Sequence, residues 1–191
     1  MSLRTTVKVS HISNLSDARY CAGMGVEMLG FRVVPGAEDY MPPDVFQDIR
    51  GWFAGPAIVA EIYGMAGPDQ IEDVIQKYSP DYFELSLAEY QKYGKDLPLP
   101  CIVYFADSKQ MSEMPRDEKI SHVVVDENTT CKDIESLKLP VLSKITALDQ
   151  LTDMLKAGCF KGVVLEGPRE VRPGITNYEQ LGAILEALEN E

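Results

Sequence analysis

Positive charge is scarce in this chain, with 18 lysines and arginines among 191 residues against 30 aspartates and glutamates, a formal net charge of −12 at pH 7. No run of basic residues offsets that balance. Nucleic acid and anionic membrane surfaces both require an exposed basic patch, so neither is expected as a partner. Metal-site spacing is missing too. The four cysteines, Cys21, Cys101, Cys131 and Cys159, contain no CxxC pair and have no histidine couple beside them, which leaves no zinc-site pattern. They read as reduced, mostly buried side chains, and no metal is expected. No apolar run approaches the roughly 20 residues that span a bilayer, and the N-terminus lacks the charged, apolar and small-residue succession of a signal peptide. A cytoplasmic location follows as the expectation. A GxGxxG turn is also absent after every β-like run, which removes the usual support for a dinucleotide-binding open sheet. No cofactor is expected.

What is present is ordinary globular composition, 45% apolar and 25% charged, and a strong alternation. One domain over residues 1–191 buries a greater share of its surface than two very small ones would. A short β-rich run followed by an amphipathic helical stretch recurs every twenty-odd residues. The runs are Thr5 to Ile12, Met28 to Val34, Ala57 to Tyr63, Tyr82 to Leu87, Pro100 to Phe105, Ile120 to Asp126, Val141 to Ile145 and Lys161 to Glu166. Helical patterns lie between them: a stripe from Leu15 to Met24 capped by Ser13 or Asn14, Asp44 to Trp52 after Pro42-Pro43, a helix with Ile71, Val74 and Ile75, a short one near Glu89 to Tyr93, Leu148 to Lys156, and Tyr178 to Leu188. The polar stretch Asp107 to Lys119, broken by Pro115, has little stripe. Continuous apolar runs such as Val123-Val124-Val125 suit parallel strands covered by helices. Eight such units predict an α/β fold, a compact (β/α)8 TIM barrel with one or two degenerate helices.

The first strand and its sequel carry a more specific signal. Lys8-Val9-Ser10-His11-Ile12-Ser13-Asn14-Leu15-Ser16-Asp17-Ala18 resembles the K-I-C-G-I-T-N-L-x-D-A opening of the phosphoribosylanthranilate isomerase family. Ala22 to Phe31 resembles its A-G-A-D-A-L-G-F, and Tyr40-Met41-Pro42-Pro43 its R-Y-V-S-P. Fainter matches continue through Phe83-Glu84-Leu85-Ser86, Val123-Val124-Val125-Asp126 and Pro173-Gly174-Ile175. The chain thus resembles a divergent member of that family, whose compact barrel suits the short length.

The resemblance implies an Amadori rearrangement in tryptophan biosynthesis, with a strand-one cysteine as general base and a strand-six aspartate as general acid. Asp126 matches the acid, though capping the following Asn128 and Thr129 is an equal role for it. Ser10 replaces the cysteine, and a hydroxyl is a far poorer base than a thiol of pKa about 8.5. His11 is adjacent, but successive strand side chains face opposite ways, which turns it from Ser10. Asp39 stands where the family's arginine would hold the anthranilate carboxylate, and an acceptor cannot replace that bidentate donor. The family's glycine-rich phosphate turns give way to Glu127 to Asp133, to Ser143-Lys144-Ile145 and to Glu166-Gly167-Pro168.

Candidate ligand-binding residues are therefore Arg32, Glu84, Ser86, Lys144, Glu166 and Gly167, with Asp126 and Ser10 as the catalytic pair. Lys144 suits either a phosphate or a salt bridge to Glu166 or Asp126. Glu61, Glu84, Asp126 and Glu166 together predict either an acidic mouth for a cation or amine, or an internal ion-pair network with Arg32 and Lys144. The leading expectation is a barrel without the ancestral isomerase activity that binds or acts on another small molecule, such as a sugar phosphate, as a monomer or homodimer. An active isomerase and a non-catalytic binding barrel are the alternatives.

Overall fold

Eight parallel strands close into a barrel in sequence order, each paired with its neighbours and the last with the first. The computed structural model describes residues 2–168, 170–172 and 175–189. In chain order the elements are β1 (Thr6–Ser10), α1 (Leu15–Gly23), β2 (Met28–Arg32), α2 (Pro43–Arg50), β3 (Ala57–Glu61), α3 (Ile71–Tyr78), β4 (Tyr82–Ser86), α4 (Leu87–Tyr93), β5 (Cys101–Phe105) and β6 (Ile120–Val125). There follow α5 (Cys131–Ile134), β7 (Val141–Lys144), α6 (Leu148–Ala157), β8 (Gly162–Glu166), the short strands β9 (Glu170–Arg172) and β10 (Ile175–Thr176), which pair antiparallel, and α7 (Glu179–Ala187). Pro173 and Gly174 lie outside the described residues. Two of the helical layers are degenerate. The chain after β5 forms only a 3-10 stretch, Ser108–Glu113, and α5 is a single turn.

The period of two along each strand sorts the apolar residues into two cores. Met28, Val59, Ile102, Val124, Leu142 and Val164 point inward and fill the lower barrel. Their neighbours, among them Val7, Val9, Leu29, Phe31, Leu85, Val123 and Val163, point outward and pack under the helices. Burial on both faces is why these strands read as unbroken apolar runs.

The Asn-x-x-Asp spacing of the opening segment turns out to be architectural. Asn14 caps α1: its Oδ1 accepts from the Asp17 backbone N–H at 3.0 Å, and its Nδ2 donates to Asp17 Oδ2 at 2.7 Å. Asp17 is wholly buried, and its other oxygen accepts from the Tyr178 hydroxyl at 2.5 Å. One cap therefore joins the first helix to the segment that starts the last. Asn14→Ala is expected to cost about 1–2 kcal/mol, because the cap and a bond to a buried carboxylate go together. Urea unfolding of the two proteins measures it, and an unchanged midpoint would contradict the assignment.

One expectation is corrected. Cys131 and Cys159 are not reduced thiols but a disulfide across 28 residues, between the first residue of α5 and the turn after α6. Nothing in their spacing signals the pairing. It arises because α5 stops after one turn and leaves its first residue against the end of α6, where Cys131 Sγ also approaches the Ala157 carbonyl at 3.8 Å. Cys21 and Cys101 are the free, buried pair.

Candidate functional site

Because inward positions alternate, β1 sends both Lys8 and Ser10 into the barrel. Lys8 is fully buried, and its ammonium donates to Ser10 Oγ at 2.5 Å and Glu61 Oε1 at 2.8 Å and pairs with Glu84 Oε2 at 2.7 Å. Two of the three ammonium protons are thereby placed in hydrogen bonds, and Glu84 faces the ammonium as an ion pair. Burial alone would lower the Lys8 pKa, but Glu61 and Glu84 outweigh it and hold the group above 10.5. Burial likewise opposes the charge on Glu61, yet Lys8 and then His11 keep its carboxyl below its ordinary 4.5. Gly30, on β2, makes the room: a Cβ there would run into Glu61 Oε1 and approach Lys8 Nζ to 2.9 Å.

Above this buried triad lies the mouth. Arg32, Lys144 and Glu166 stand at the C-terminal ends of β2, β7 and β8. His11 joins them, against the expectation that it faces away. Strand β1 ends at Ser10, and His11 takes a left-handed conformation, φ 57°, that swings its ring inward. Its Nδ1 lies 2.9 Å from Glu166 Oε2 and its Nε2 3.6 Å from Glu61 Oε2. The alternation rule holds only while the strand continues.

Two tyrosines complete the walls. The Tyr63 hydroxyl donates to Glu84 Oε1 at 2.7 Å, and that of Tyr104 to both oxygens of Asp126 at 2.9 and 3.0 Å. Burial first, then the neighbouring carboxylate, pushes the Tyr63 pKa well up and that of Tyr104 to about 12. Both rings therefore remain neutral donors at pH 7. A cavity of about 250 Å³ is enclosed by residues including Ser10, His11, Arg32, Tyr63, Tyr104 and Lys144. A second, about 350 Å³, adjoins it through Lys144 and Glu166 and reaches Asp126 and Thr146.

Of the residues expected at the site, Ser10, Arg32, Glu84, Asp126, Lys144 and Glu166 line these cavities. Ser86 does not. Its hydroxyl caps α4 in a reciprocal box with Glu89, accepting from the Glu89 N–H at 3.3 Å and donating to its carboxylate at 2.6 Å. Gly167 is a close-approach position: its N–H donates to the Ser10 carbonyl at 2.7 Å, and a Cβ would meet that oxygen at 2.9 Å. Glu61 lies beneath the mouth, sealed from it. The carboxylates are engaged internally, but at short range by Lys8, His11, Tyr63 and Tyr104, while Arg32 and Lys144, the cations expected to pair with them, stand 3.6 Å from Glu61 and Glu166. Lys8, His11, Tyr63 and Tyr104 were not foreseen. Parity with Ser10 would have placed Lys8 inside.

A larger cavity, about 1090 Å³, lies elsewhere, at the N-terminal ends of β6, β7 and β8, where Thr6, His122, Leu142, Cys159 and Lys161 border it. The buried charge network lies wholly at the other end. The smaller mouth cavities are therefore the candidate site, since barrels of this architecture carry their functional groups at the C-terminal strand ends.

No protein-family model matches the chain, and no curated protein matches it. Solved structures do. Phosphoribosylanthranilate isomerase from Thermus thermophilus superposes with a TM-score of 0.74 at 18% identity, over 96% of this chain and 98% of that one. N-(5'-phosphoribosyl)anthranilate isomerase from Pyrococcus furiosus gives 0.72 at 15%, over 95% and 97%. A phosphoribosylanthranilate isomerase solved with reduced 1-(o-carboxyphenylamino)-1-deoxyribulose 5-phosphate gives the same values. At such identities the likeness is one of fold.

Proposed function

We propose that this barrel binds a small molecule at its C-terminal mouth and has lost the isomerisation for which its structural neighbours are named. The observation that carries the reading is the state of Ser10. Its oxygen accepts from the fully buried Lys8 ammonium at 2.5 Å. A hydroxyl so engaged, beside a cation, has no capacity to take a proton from a substrate.

The anchoring groups are changed in the same direction. Asp39 is exposed in a turn at φ 59° and offers no carboxylate clamp. Backbone donors that could cradle a phosphate after β7 and β8 are spent within the fold: Ile145 N–H on Val164 O at 3.1 Å, Ala147 N–H on Gln150 Oε1 at 3.0 Å, and Gly167 N–H on Ser10 O at 2.7 Å. The two mouth cavities nevertheless remain open, which favours a small-molecule site over a barrel filled by its own side chains.

The test has two arms. Expressed in a tryptophan auxotroph that lacks the isomerase, the chain is expected to give no growth, and the purified protein no turnover of phosphoribosylanthranilate. Growth at the level of a genuine isomerase would overturn the loss of activity. In thermal-shift screening, a sugar phosphate, aminocarboxylate or divalent metal that raises the melting temperature should lose its effect when mouth residues are substituted. Shifts indifferent to those substitutions would place binding elsewhere.

A further inference from the structure

Each of the mouth's acidic groups holds at least one partner at hydrogen-bond distance, whereas its two cations meet their carboxylates only at longer range. Glu84 meets Lys8 and Tyr63 at 2.7 Å each, Glu166 meets His11 at 2.9 Å, and Asp126 meets Tyr104 at 2.9 Å. Arg32 Nε is buried without a hydrogen-bond partner among the described residues, as is the Glu61 Oε2 it faces at 3.6 Å. Lys144 Nζ is 3.6 Å from Glu166 Oε1. Both separations exceed hydrogen-bond length. The two side chains remain 26% and 34% exposed, so a ligand can reach them.

Each cation instead rests on an aromatic face. The Arg32 guanidinium lies 5.4 Å from the Tyr63 ring centre and Lys144 Nζ 5.2 Å from that of Tyr104, while the two rings meet edge to face at 6.2 Å. These contacts orient the cations without using their N–H donors. A desolvated donor without an acceptor is costly, and anionic oxygens are its strongest partners. Glu61 cannot turn the preference toward a cation, because its side chain is shut away from the cavity.

We infer that the ligand of this mouth is a small anion, a carboxylate or a phosphate, held between Arg32 and Lys144. The inference rests on the mouth being the binding site, as proposed above. The arrangement differs from a backbone phosphate cradle in using two side chains, from β2 and β7, which lie three strands apart around the barrel.

Calorimetric titration at constant ionic strength, with sodium phosphate, succinate and putrescine as probes, tests it. Phosphate or succinate should bind, and Arg32→Gln should raise the dissociation constant about tenfold, with Lys144→Gln acting in the same direction. Binding of phosphate alone identifies a phosphate site; binding of succinate alone, a carboxylate site. Lys144→Gln changes a partly exposed side chain and keeps the test valid if Arg32→Gln disturbs folding. Lys132→Gln, at the opposite end of the barrel, should change nothing. Anion binding indifferent to both mouth substitutions would overturn the inference. Putrescine binding that Glu166→Gln abolishes would overturn it too while leaving the mouth as the site, whereas failure of all three probes would count against both.

Discussion

Lys8→Met is expected to destabilise the barrel by about 3–5 kcal/mol, because it strands two buried carboxylates without their cation. For a chain of this length the melting temperature should fall on the order of 10 °C. The pH dependence is the sharper signature. In the native protein Glu61 is held below its ordinary 4.5, so its contribution is complete above that value and fades as pH falls through the folded pKa. Lys8, held above 10.5, contributes fully below that value and fades as pH rises through its own folded pKa. Without Lys8, burial would dominate and raise Glu61, so acid would relieve the variant while it weakens the parent. Urea unfolding from pH 7 down to pH 4 should show the gap between them narrowing. A constant gap, or none, would mean the triad does not carry charge as described.

Opening the Cys131–Cys159 bond is expected to cost about 3–4 kcal/mol, the loop entropy it removes from the unfolded chain across its 28-residue separation. Two measurements bear on this. Thiol titration in denaturant without reductant should find two reactive cysteines, Cys21 and Cys101, and four after reduction. Reduction or Cys131→Ser should then lower the unfolding midpoint. Four thiols before reduction would remove the bond from the account. The bond persists in an oxidising compartment and opens in a reducing one, so this part of the stability depends on where the protein resides.

The barrel was legible in the sequence because its evidence is local and repeated. Each strand announces itself within five or six residues, and each helix by its stripe and cap. Strand ends were less so: β1 was expected to run to Ile12 but stops at Ser10. That difference alone reversed the direction assigned to His11. The triad was hidden for another reason. Lys8, Glu61 and Glu84 are brought together only by closure of the barrel, and a lysine in a strand ordinarily reads as a solvent-facing side chain. Ser86 misled in the opposite sense. Its parity is correct, but the Glu89 three residues on is a capping signal that outweighs it. The disulfide had no local signature at all.

The pairing of β1 with β8 has a kinetic side. It joins Thr6 through Ser10 to Gly162 through Glu166, and His11 bonds Glu166 across a separation of 155 residues. Neighbouring strands elsewhere close over far shorter stretches of chain, so this seam carries the largest loop entropy and the slowest search. The mouth straddles it. Until that seam forms, Val164 and Glu166 of β8 stand apart from Ser10 and His11 of β1, and the inner core and the proposed ligand site are both incomplete. Assembly of the site and completion of the fold are then a single event, and an opening of that seam in the native protein would dismantle both together.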